Sequence, residues 1–92
     1  MRAARCAMAK LFGWDEIGEV PEEPCEYELF DKGEMVRNGS SCNCRRRLKE
    51  HRREIDGVTK VRIRLTSSPK QARAIERAVC LSTRPRMNKR CG

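Results

Sequence analysis

The chain has 92 residues, and 21 Lys and Arg against 13 Asp and Glu leave a net charge of +8. Charged residues make up 37% of it, mean hydropathy is −0.78, and Leu, Ile, Val and Phe together supply only 16 side chains. So small an apolar inventory allows one domain, excludes a large enzyme with a deep pocket, and calls for a metal, a disulfide or a partner to hold the fold.

Residues 1–14 are Ala-rich, end in Leu11, Phe12 and Trp14, and read as a weak helix. Arg2, Arg5 and Lys10 stand there without an acid, a faint mitochondrial flavour, although a short basic arm is the preferred reading. Pro21 and Pro24 mark residues 18–24 as an extended linker. From Cys25 to Asp31, Cys25, Tyr27 and Leu29 alternate with Glu26, Glu28 and Phe30, the period of a strand with one acidic face. Asp31-Lys32-Gly33 is a turn, Met35 and Val36 form a short strand or a core plug, and Asn38-Gly39-Ser40-Ser41 is a loop ending in a helix cap.

A basic helix follows over about residues 42–55, with Cys44, Leu48, His51 and Ile55 on one stripe. Three consecutive arginines near its start oppose the helix dipole, a conflict that nearby phosphates would relieve. Asp56-Gly57 ends it. The clearest strand runs from Val58 to Thr66, with Val61, Ile63 and Leu65 on one side and Lys60, Arg62 and Arg64 on the other. Ser68, Pro69 and Gln71 then start a helix that ends near Leu81. Its inward stripe is Ala72, Ile75, Ala78, Val79 and Ser82, with Lys70, Arg73, Glu76 and Arg77 outside. The expected class is α+β: a small two-layer domain with two helices packed on one face of a short sheet and extended basic termini. The expected division is a basic arm and acidic linker over 1–24, the α+β domain over 25–82 and a basic tail over 83–92.

Charge is distributed as a dipole. Residues 15–34 carry nine acids and one base, whereas residues 35–92 carry 17 bases and four acids. Arg outnumbers Lys 15 to 6, and a guanidinium forks onto phosphate and is weakly hydrated, so the basic body favours polyanion contact over mere solubility. The acidic segment is a polar lead-in, a strap over the basic body, or a face for a basic neighbour.

Six cysteines are present: Cys6, Cys25, Cys42, Cys44, Cys80 and Cys91. Cys42 and Cys44, with His51 on the following helix face and Cys25 as a fourth ligand (or Cys80), make one candidate zinc set. The alternatives without metal are buried thiols and disulfides, with no secretion signal to favour the latter. Cys44 and Cys80 lie near apolar stripes, and Cys42 and Cys44 do not pair with each other.

One histidine, no nucleophile elbow and no glycine-rich phosphate loop leave catalysis unexpected. All four aromatics precede residue 31, so the basic body has none to stack on bases, and contact through phosphate and shape is expected. The expected contacts are Arg45, Arg46, Arg47, Arg52 and Arg53 on the helix, Arg62 and Arg64 on the strand, and Arg84, Arg86, Lys89 and Arg90 in the tail.

Val58 to Val79, with the alternating Val61-Ile63-Leu65, the turn Thr66-Ser67-Ser68-Pro69 and the helix start Lys70-Gln71-Ala72-Arg73-Ala74-Ile75, resembles the closing strand and helix of a K-homology RNA-binding domain. The resemblance covers about a quarter of the chain and implies RNA binding. The family's Gly-x-x-Gly loop is not present, and Arg37-Asn38-Gly39-Ser40 stands in a similar place with one glycine.

The function expected on these grounds is a non-enzymatic RNA-binding accessory component of a ribonucleoprotein particle such as a ribosome, organellar ones included, with DNA as the other polyanion. One alternative is an interaction subunit of a viral or membrane-associated assembly, docking a neighbouring protein through Trp14, Tyr27 and Phe30. Another is a small zinc-stabilised regulator of nucleic acid. No stretch approaches the ~18 apolar residues of a membrane span, so no insertion is expected, and the expected location is intracellular, in the cytoplasm or a mitochondrion.

Overall fold

The computed structural model describes residues 9–88 and Cys91. Its elements in chain order are strand β1 (Ala9–Gly13), a 3-10 turn (Trp14–Glu19), strands β2 (Cys25–Asp31) and β3 (Glu34–Ser41), helix α1 (Cys44–Glu54), strand β4 (Lys60–Leu65) and helix α2 (Pro69–Thr83). The four strands form one sheet in the order β1-β4-β2-β3, every neighbouring pair antiparallel. The α+β class and the two helices on one antiparallel sheet are as the periodicities require.

β2 and β3 are a hairpin closed by Lys32 and Gly33, both at positive φ (51° and 91°), the backbone of a two-residue turn whose twist matches its strands. β4 enters last and lies between β1 and β2. Its apolar residues Val61 and Ile63 stand opposite Leu29 and Tyr27 on one side and Phe12 and Lys10 on the other. Val61, Ile63, Leu29, Tyr27 and Phe12, with Ile17, Val20, Cys25, Val36, Cys44, Leu48 and Val58, form the core, and Lys10 stays exposed.

The helices take opposite faces of the sheet, not one. Tyr27 points to α1, where its hydroxyl meets His51. Its neighbour Glu28 points the other way, beside Asn38, whose amide donates to the Glu76 carbonyl of α2. The apolar inventory explains this. α1 buries only Cys44, Leu48 and His51, and α2 only Ala72 and Cys80, so neither offers the other a broad apolar flank.

Four local expectations change. Residues 9–13 are a strand, because Phe12 gains burial beside Val61 that a lone Ala-rich helix could not give it; residues 1–8 lie outside the described residues. β1 and the 3-10 turn thereby belong to the domain. Asn38–Ser41 is strand, and the helix cap is Asn43, whose side chain accepts from Arg46 N at 3.1 Å. The inward stripe of α2 is rotated, so that Glu76 is half-buried and Ala78 exposed. The tail folds back through residue 88: Met87 N donates to the Val36 carbonyl at 2.8 Å and Asn88 clasps Asn38. No helix among the described residues is long and apolar enough to cross a membrane.

Candidate nucleic-acid interface

The proposed zinc set is overturned. Cys25 and Cys44 are bonded to each other, so neither has a thiolate to offer a metal. His51 is buried with its Nε2 2.6 Å from the Tyr27 hydroxyl, and Cys42 is an exposed free thiol. A second disulfide joins Cys80 to Cys91 and closes the tail onto α2. Cross-links therefore supply the reinforcement that the small core lacks.

The arginines divide by what already holds them. On β4, Arg62 Nε sits 2.6 Å from Glu28, while Arg64 bonds Glu26 and Glu28. The acidic face of β2 and the basic face of β4 are one interlocked patch, which removes Arg62 and Arg64 as free phosphate contacts. Glu26 and Glu28 are almost completely buried there. Burial and the neighbouring Glu28 carboxylate push Glu26 up to about 8, against the pull of Arg64. Burial also acts to raise Glu28, but hydrogen bonds from Glu26 and Arg62, with the charges of Arg62 and Arg64, outweigh it and hold Glu28 below the usual range. The pair therefore keeps one proton at neutral pH.

Arg45 is occupied as well, with Nε on the Val20 carbonyl at 2.8 Å and Nη1 on Glu22 at 3.1 Å. Arg86 lies 3.5 Å from Asp31 and 3.4 Å from Glu34. Arg84 is exposed at the end of α2, and Lys89 and Arg90 lie outside the described residues. The remaining α1 cations, Arg46, Lys49, Arg52 and Arg53, are exposed and have no ion pair among the described residues. They border two shallow depressions along the outer side of the helix. Arg47 pairs with Glu50 at 2.8 Å on the α1 surface.

At the β3 edge the two helices approach each other across a cleft of about 370 Å³ lined by Ser40, Ser41, Cys42, Arg47, Pro69 and Arg73. Beside it lies a cluster that the sequence reading did not assemble. Gly39 makes it possible: a Cβ there would overlap the Tyr27 hydroxyl and lie 2.6 Å from its Cζ, so only glycine lets the tyrosine ring cross beneath β3. Tyr27 then reaches His51. Burial pushes the tyrosine hydroxyl up, opposed by the Arg47 guanidinium. Burial, then the charges of Arg47 and Arg37, push His51 down to about 4, so the ring is neutral at physiological pH. Its Nδ1 is buried without a hydrogen bond. On the α2 side, Glu76 Oε1 accepts from Ser40 Oγ at 2.6 Å, and its charge is felt at Tyr27.

The aromatic docking trio does not exist as a surface. Tyr27 is buried on the α1 side, Phe30 faces the other way under Arg62 (5.1 Å from guanidinium carbon to ring centre), and Trp14 packs against the core. In the sequence Tyr27, Arg47 and His51 share no motif, and the Arg47–His51 spacing of one helical turn is the one local signal that two of them are neighbours. Comparison with protein-family models, with curated proteins and with solved structures finds no match.

Proposed function

We propose that this chain binds nucleic acid through the sugar-phosphate backbone, RNA first and DNA second, as an accessory part of a larger particle. The observation that carries the reading is the row Arg46, Lys49, Arg52 and Arg53 on α1, without an ion pair among the described residues, next to a cleft that offers Arg47 and Arg73. Cations without internal carboxylates release counterions when they meet phosphate, and Arg62 and Arg64 are set aside because their guanidiniums are already bonded to Glu26 and Glu28. Titration of a labelled RNA hairpin and a labelled DNA duplex against increasing salt tests it. Affinity should fall steeply with salt, and no binding to either probe at low ionic strength removes the reading.

A further inference from the structure

The first turn of α1 is tied to β2 by one covalent bond, while its hydrogen bonds run to the connector over residues 20–24. It begins Cys44-Arg45-Arg46-Arg47, has no acidic residue, and points three guanidiniums at the positive end of the helix. Its non-covalent supports are the Asn43 cap, Arg45 on the Val20 carbonyl and on exposed Glu22, and Cys44 N on the Glu23 carbonyl. The other buried anchors of the helix, Leu48 and His51, come one and two turns later. The Cys25–Cys44 bridge is wholly buried and fastens the first residue of α1 to the first residue of β2, two positions before Tyr27. The bridge thus ties the start of the basic helix to the strand that carries Tyr27.

We propose that the Cys25–Cys44 disulfide is a redox control on α1: bridged, the helix presents its basic side in one geometry; reduced, its first turn frays and nucleic-acid binding weakens. The inference rests on the binding reading above. The reductant is a dithiol, which reaches the buried sulfurs when the first turn of α1 opens. One of its thiolates attacks a bridge sulfur and forms a mixed disulfide, its second thiol displaces the protein, and two protein thiols and one reductant disulfide result, with two electrons and two protons transferred. By linkage, bound nucleic acid should protect the bridge from reduction.

The test uses the full chain with the labelled RNA hairpin and duplex, oxidised and after dithiothreitol. The state of each bridge is read by mass mapping, and amide exchange is followed over residues 44–48. Reduction of Cys25–Cys44 should lower affinity about tenfold, since only a fraction of reduced molecules holds the competent helix, and should speed exchange in that turn while β2 and β4 stay protected. The paired substitution Cys80→Ala with Cys91→Ala should leave the response intact. Cys25→Ala with Cys44→Ala should fix the weak state; where that variant does not fold, the dithiothreitol series on the wild type decides. Unchanged affinity and exchange with the bridge demonstrably open, unfolding of the whole sheet on reduction, or a response that vanishes with the Cys80–Cys91 bridge would each overturn the proposal. If oxidised protein ignores both probes, the binding reading falls, and the control of binding by the bridge falls with it, whereas normal binding without a redox response removes only the control.

Discussion

Glu26 and His51 are two buried groups whose titrations leave opposite marks on stability. Glu26 stays protonated in the folded state up to about 8, while an unfolded Glu gives up its proton near 4.5. The folded state therefore binds the extra proton over that window, and stability falls as pH rises through it. His51 is held down to about 4 from 6.5, so the unfolded state binds the extra proton between those values and stability rises with pH. The two slopes oppose each other up to pH 6.5, and only the Glu26 slope remains above it. Urea melts should show a near-level region at pH 5–6.5 and then a loss of about 2 kcal/mol by pH 8. Glu26→Gln should keep the stability level above 6.5; a wild-type loss that survives in that variant would place its cause elsewhere. At Gly39, alanine should cost about 1–3 kcal/mol by forcing Tyr27 from beneath β3, measured as a lower urea midpoint with an unchanged slope. Tyr27→Phe should cost a similar ~1–3 kcal/mol, because it leaves a buried His51 nitrogen without a partner.

At the scale of elements, the same residue type does two jobs. Arg46, Arg52 and Arg53 project from α1 into solvent, so replacing all three with Ala should reduce nucleic-acid affinity and flatten its salt dependence by ~0.7–0.9 per lost phosphate contact, with little change in melting. Arg64 on β4 matches buried carboxylates, so Arg64→Ala should destabilise the fold by about 3 kcal/mol and leave the salt slope of binding unchanged. Melting curves and salt titrations on both variants separate the roles. β2 and β4 were legible because alternation is a local property, as were the basic helix and the Ser68 start of α2, whose side chain accepts from Gln71 N. β3 was not, since Asn38-Gly39-Ser40-Ser41 has the composition of a turn. It is a strand because β2 pairs with it and because Glu76 and Asn88, 36 and 50 residues further on, satisfy Ser40 and Asn38. The pairing of an acidic face with a basic one was hidden for the same reason. Each stripe was plain alone, and nothing local says that β4 lies beside β2.

At the scale of the molecule, two disulfides and one interlocked charge patch support a core with few large side chains. The cysteines were counted correctly from the sequence, but their partners lie 19 and 11 residues apart and no spacing rule selects them. The strand order adds a consequence for biosynthesis. The sheet has β4 at its interior, yet β4 is the last strand to leave a ribosome. Until the chain passes residue 65, β1 has no neighbour, and the carboxylates of β2 wait without their guanidiniums. A nascent chain stalled before Lys60 holds a lone hairpin, too little to persist in water. The sheet therefore assembles in one late event, once β4 has emerged.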